Sequence, residues 1–209
     1  MPRAIDQVPR SHAILTLVAA ALVATAWTAL RWPLPEWMLG DNDWVHQLGG
    51  ANQILHGEHP FVDWHTDYGP LRYYPSALAQ WLLGPRTLAE LLLVTLAYAA
   101  GYTLLFTLLW EVSGRRAVAA LLLAVALVLA PRLFKYYVML GPVLSLWAAW
   151  RYIERQSSIF LVALAAMAVV FGLFRIDFGA FAGAAAVTAI AVGPGPLRAR
   201  ARRLAQYVG

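Results

Sequence analysis

The chain has no cysteine among its 209 residues, so neither a disulfide nor a thiolate metal site is open to it. Charge is scarce: 13% of residues are Asp, Glu, Lys or Arg, against roughly 25% in soluble domains. Lysine is nearly missing, Lys135 standing alone beside fifteen arginines. Internal repeats and low-complexity linkers are absent, and the Ala/Leu/Val richness is membrane composition rather than a repeat. What is there is apolar. A chain 61% hydrophobic with mean hydropathy +0.61 reads as a polytopic membrane protein, whose helices associate by packing and interhelical hydrogen bonds instead of water-driven burial. The net charge of +5 and pI ≈ 9.8 would suit a nucleic-acid partner. The basic residues sit at segment ends, however, where topology and lipid headgroups account for them.

A helix needs about 20 apolar residues to cross the hydrocarbon core. Segments 12–32, 87–110, 117–131, 136–152, 159–174 and 177–194 therefore predict an all-α fold: a polytopic transmembrane bundle of about six spanning helices, forming one membrane domain over residues 1–209. Basic residues set the orientation. With the N-terminus in the cytoplasm, ten of the sixteen fall inside, and both termini are cytoplasmic. Residues 33–86 then form a large outer loop, and residues 195–209 a basic cytoplasmic tail. The stretch 72–84, RYYPSALAQWLLG, is too short to span and reads as an interfacial helix completing that loop. Ala24-Thr25-Ala26 resembles a signal-peptidase site, but the apolar run continues through Trp27, Ala29 and Leu30, which favours an uncleaved anchor.

The loop concentrates the chemistry. Between residues 33 and 71 lie six of the eleven carboxylates (Glu36, Asp41, Asp43, Glu58, Asp63, Asp67) and four of the five histidines (His46, His56, His59, His65). From Asp43 a helical pattern begins. Trp44, Leu48, Ala51 and Leu55 form an apolar stripe, His46, Gly50 and Gln53 share another face, and Gly57 takes the helix C-terminal position. This predicts an amphipathic helix on the membrane surface with Asp43 as its N-cap. Asp41, two residues away, gives Asp43 a second carboxylate, and such a pair shifts one member toward service as a base. Next comes EHPFVDWHTDYGPLRYYP, rich in prolines and aromatics. It suits an interfacial aromatic belt and, equally, a platform for a sugar or lipid headgroup. His56, His59, Asp63, His65 and Asp67 are candidate metal ligands of a kind suited to zinc, manganese or iron, with solvated or hydrogen-bonded histidines as the plain alternative. Arg72, Arg132, Lys135 and Arg175 could give the outer mouth a cationic rim for a phosphate, or serve as ordinary headgroup anchors.

In order, these features run: one helix; an outer loop with Asp41-Asn42-Asp43; the A-x-x-x-L-x-G stretch of Ala51, Leu55 and Gly57; Asp67-Tyr68-Gly69-Pro70-Leu71; and, after further helices, Arg175-x-Asp177-x-Gly179. The order resembles the N-terminal part of the GT-C superfamily of polytopic glycosyltransferases, above all the bacterial members related to protein mannosyltransferases and lipid A aminoarabinose transferases. The resemblance implies a polyprenyl-phosphate-linked sugar as donor, transfer on the outer face of a bacterial inner membrane, and an acidic residue of the first outer loop acting on the acceptor. Asp43 best matches that acid, with Asp41 as alternate; Arg72, Arg132, Lys135 and Arg175 become candidate donor-phosphate contacts. Some members use a divalent cation, here Mg or Mn, and others none. The family's helical module has seven helices and is usually followed by more chain, so the resemblance implies an incomplete module that a partner subunit would complete. The competing expectation is a non-catalytic membrane scaffold or transport subunit whose loop binds a cation or a partner. Helix middles nearly free of charge speak against transport.

Overall fold

In the computed structural model, residues 9–30, 42–84, 87–129 and 135–208 are described, those at 42–44, 136 and 208 by backbone alone. The described residues are all-helical apart from turns and one isolated bridge between Pro60 and Trp64. In chain order they form α1 (Arg10–Leu30), α2 (Asn42–Leu55), a 3₁₀ turn (Pro70–Arg72), α3 (Tyr74–Leu83), α4 (Thr87–Ser113), α5 (Arg116–Val128), α6 (Tyr136–Arg155), α7 (Ser158–Phe174), α8 (Ile176–Val192) and α9 (Leu197–Val208). Each of the six segments expected to span holds a helix among its described residues. Two of them, α1 with 21 residues and α4 with 27, are long and apolar enough to cross a membrane. The apolar helices α5, α7 and α8 are shorter. The tail, which the sequence marks only as a basic stretch, is the helix α9.

The chain divides into two compact units, residues 1–57 with 75–140, and residues 58–74 with 141–209. In the first, α1 packs on α4 and α4 on α5. The buried stripe of α1 is Ala20, Ala24 and Thr28, small residues one turn apart that let helix backbones approach closely. Thr28 Oγ1 satisfies itself within the helix by donating to the Ala24 carbonyl at 2.7 Å. Trp27 reaches out of the stripe and donates its indole N–H to the Leu127 carbonyl at 2.9 Å, in the last turn of α5. The other face of α1 leaves Leu15, Leu22 and Leu30 exposed.

In the second unit α7 and α8 form a hairpin whose only linking residue is Arg175, in extended conformation. The hairpin needs Gly179: a Cβ there would lie 2.7 Å from both the Gly172 Cα and the Ala168 carbonyl oxygen. The core of this unit is Ala148, Ala149 and Tyr152 of α6, Leu164 of α7, and Ala186, Ala189 and Ile190 of α8, backed by Leu204 and Tyr207 of α9.

Candidate functional site

The helix expected on the membrane surface is α2, and Gly57 follows it with φ +88, the left-handed conformation a C-terminal glycine supplies. Two details differ from the sequence reading. The helix begins at Asn42, so Asp43 lies in its first turn rather than at the cap. The buried face is also rotated. Gln47, Gly50 and Ala51 are buried, whereas Leu48 is half-buried and Leu55 is exposed. The cause is a polar chain. Gln47 Nε2 donates to Ser76 Oγ at 2.6 Å, and Ser76 Oγ donates to Glu90 Oε1 at 3.0 Å. All three side chains are buried, Ser76 and Glu90 completely. Helix α3 shows the same inversion. It buries Ser76 and Gln80 while exposing Leu78, Trp81 and Leu82. Polar groups inward and large apolar groups outward is the arrangement lipid favours, since interhelical hydrogen bonds hold helices together there.

The aromatic stretch belongs to the second unit. Its first turn is tied by Asp63, whose Oδ2 accepts the His59 backbone N–H at 2.7 Å. The Phe61 N–H donates to the Trp64 carbonyl at 2.8 Å, which holds Phe61 at φ +67, a conformation costly for a bulky side chain. Further on, Thr66 Oγ1 shares a hydrogen bond with the Tyr73 hydroxyl at 2.7 Å, and Trp64 meets the Tyr73 ring edge-on at 5.0 Å. The Arg72 guanidinium lies 3.5 Å from the centre of the Tyr68 ring, within range of a cation–π contact. The stretch then docks on the α7–α8 hairpin. The Gly69 N–H donates to the Phe174 carbonyl at 3.1 Å, and a Cβ on Gly69 would collide with the Leu173 carbonyl. Glycine is needed here for space, because its φ of −65° suits any residue. Directly after Phe174, Arg175 pairs with Asp177 at 2.8 Å, both about two-fifths exposed, and the guanidinium lies 5.5 Å from the Phe178 ring. One hydrogen bond thus joins two sequence features about a hundred residues apart, the Tyr68-Gly69-Pro70-Leu71 segment and Arg175-x-Asp177-x-Gly179.

The candidate residues fare differently. Asp41 and Arg132 lie outside the described residues, and of Asp43 only the backbone is described. Arg72 is fully buried, so it braces the aromatic stretch and offers no open rim to a phosphate. Lys135 is half-buried. Arg175 is the candidate cation that combines exposure with a described carboxylate neighbour. Among the described residues no three His, Asp or Glu side chains gather to hold a metal ion. His56 Nδ1 bonds the Asn52 carbonyl at 2.8 Å, His59 Nδ1 bonds the Tyr74 hydroxyl at 3.0 Å, Asp63 closes its own turn, and His65 sits 3.8 Å from Asp67 on the surface.

Sequence reasoning missed Gln47, Ser76 and Glu90. A signal was present for Glu90: it is the lone carboxylate in the first turn of the longest apolar helix, and ionisable residues in such helices are functional by default. Gln47 and Ser76 gave none, because an amide and a hydroxyl in a polar loop stand out from nothing. Comparison of the chain with protein-family models, curated proteins and solved structures yields no match.

Proposed function

We propose that this chain is a GT-C-like integral-membrane glycosyltransferase module. It would transfer a sugar from a polyprenyl-phosphate-linked donor to an acceptor on the outer face of a bacterial inner membrane. The observation that carries the reading is the Gly69–Phe174 hydrogen bond at 3.1 Å, which sets one of the segments behind the resemblance, Asp67 to Leu71, beside the residue that precedes another, Arg175-x-Asp177-x-Gly179. The inverted burial of α2 and α3 supports the placement of the loop against lipid. The membrane topology of the proposal has about six spans and cytoplasmic termini, with the shorter apolar helices completing the bundle.

In the proposed reaction Asp43 accepts the proton of the acceptor hydroxyl or amine as that atom bonds the anomeric carbon. The bond from that carbon to the phosphate oxygen breaks, and polyprenyl phosphate leaves with the electron pair. Arg175, with Arg132 and Lys135, offsets the charge growing on the leaving phosphate. Asp41 is the alternate base. The aromatic stretch carries the sugar or headgroup, with Arg72 stiffening it from behind. A divalent cation, Mg or Mn, remains a candidate cofactor, and no step here depends on it.

The test is turnover with a panel of polyprenyl-phosphate sugars in detergent. Asp43→Asn should insert normally and lose transfer by about a hundredfold or more, the usual loss for a general base. Full activity in that variant would sink the assignment. The competing reading, a non-catalytic scaffold or transport subunit, draws on the loop's polar groups being spent on internal bonds, as with Asp63 and His59. Retained cellular function after alanine replacement of Asp41, Asp43 and Arg175 together would favour it.

A further inference from the structure

The second unit holds a cavity of about 480 Å³ where the end of α6, the start of α7 and α9 meet, well within the range of small-molecule sites. Its walls divide by chemistry. One side is polar: the Tyr152 hydroxyl, Gln156 and Arg203. The other is apolar: Leu161, Val162 and Ala165 of α7. The polar wall is built with care. Gln156 ends α6 at φ +51, and its side-chain amide donates to the carbonyls of Tyr152 and Ile153 at 3.1 and 3.2 Å, closing the helix end. Its amide oxygen is thereby left to accept from Arg203 Nη1, which also donates to the Tyr152 hydroxyl at 3.1 Å. A guanidinium has five N–H donors, and the others on Arg203 have no protein acceptor among the described residues.

The surroundings narrow the ligand. Helix α9 carries Arg198, Arg200, Arg202 and Arg203 and no carboxylate. Leu204 and Tyr207 pin it to the core of the unit, and burial raises the Tyr207 phenol above its ordinary value. Arg198 and Arg202, one turn apart, are exposed. The nearby Glu154 is paired with Arg151 at 2.9 Å. On the apolar side the wall continues outward as open helix surface, with Ile159 and Val162 about two-thirds exposed. A cation in a polar corner, beside an apolar strip that runs out of the cavity, matches a molecule with an anionic head and a hydrocarbon tail. A basic amphipathic helix at the same end matches a surface of such molecules.

We propose that this cavity binds one anionic phospholipid, its phosphate on Arg203 and its acyl chain along Leu161, Val162 and Ala165. The inference rests on the membrane placement of the chain and is independent of glycosyl transfer, since its test reads binding alone.

The full chain in neutral detergent is titrated with phosphatidylglycerol, phosphatidylcholine and inorganic phosphate, and bound lipid is counted by native mass spectrometry. We expect one tightly held phosphatidylglycerol, with phosphatidylcholine and inorganic phosphate each at least about tenfold weaker: inorganic phosphate lacks the acyl chain, and the choline cation of phosphatidylcholine offsets its phosphate charge and faces a helix with four arginines and no carboxylate. Arg203→Gln should weaken phosphatidylglycerol about tenfold and Arg203→Lys by less. Ala165→Phe should block it with no change of charge, while Arg202→Gln on the open face leaves it bound. Should Arg203→Gln lose its helical signal, Ala165→Phe decides alone. Equal retention of phosphatidylcholine, displacement by inorganic phosphate at matched concentration, or unaltered binding in Ala165→Phe would each overturn the proposal.

Discussion

Residues 45–55 hold one polar side chain, Gln47, inside, whereas residues 58–67 keep their histidines and carboxylates on the surface. In the first stretch Gln47 is 1% exposed and hydrogen-bonded to a buried serine, which in turn bonds a buried glutamate. In the second, the side chains of His65 and Asp67 are 84% and 94% exposed and stand 3.8 Å apart, a separation at which an exposed ion pair contributes little. Both stretches are equally polar to the eye. What separates them is what each must hold. The helix α2 is short, and an isolated helix of its 14 residues is marginal, so it needs tertiary anchors, and here those include the hydrogen bond from Gln47 to Ser76. The second stretch has no regular structure before the 3₁₀ turn and shapes itself by local bonds, with Gly69 as its attachment to α7. Density of titratable groups therefore marks the surface of this loop, and sparse polar groups mark its anchors.

The comparison can be broken at its strongest points first. Gly69→Val should have the largest effect on the second stretch, because the new Cβ meets the Leu173 backbone carbonyl rather than a flexible side chain. We expect about 3 kcal/mol of lost stability, with residues 58–74 becoming the first site of limited proteolysis. A variant as stable and protease-resistant as the parent would show that the docking of this stretch is not tight. Ser76→Ala comes next. It removes both the acceptor of Gln47 and the donor to Glu90, so we expect about 2 kcal/mol by denaturant titration in detergent. Amide exchange should rise through α2, and Ser76→Thr should restore part of the loss. If exchange in α2 stays unchanged, the polar chain is not what holds that helix.

How much of this was legible depended on the kind of force involved. Periodicity and turn chemistry are local, so the helix after Asn42, the glycine at position 57, the short helix near 72–84 and every apolar helix could be read directly. Helix length was less legible: the apolar run toward 131 ends as helix at Val128, and composition does not say where a run becomes a turn. The inner face of α2 does not follow from its hydrophobic pattern, because Gln47 is held inside by its hydrogen bond to Ser76. Arg72 was misread for a related reason. A cation beside aromatics suggests an open phosphate contact, but Tyr68 at 3.5 Å and full burial give that guanidinium an internal role. The pairing of Gly69 with Phe174 had no signal in one sequence, since it depends on two backbone atoms and no side chain.

The smallest expected effect sharpens the contrast from the exposed side. Asp63 looks like a metal ligand or an acid in the sequence, yet its carboxylate accepts the His59 amide at 2.7 Å and closes a turn in which Phe61 holds φ +67. Removing that acceptor leaves the His59 N–H to water, which can satisfy it, because the residue is exposed. Asp63→Ala should therefore cost about 1 kcal/mol, less than Ser76→Ala, and Asp63→Asn less again, since an amide oxygen still accepts. The order of the two alanine variants is the point to measure. If Asp63→Ala proves as costly as Ser76→Ala, the surface turn is as much an anchor as the buried chain, and the two halves of the loop do not differ in the way argued. If Asp63→Ala keeps stability but changes binding of Mg or Mn in a direct titration, the carboxylate serves a ligand beyond its turn, and the division between anchoring and surface groups must be redrawn at that residue.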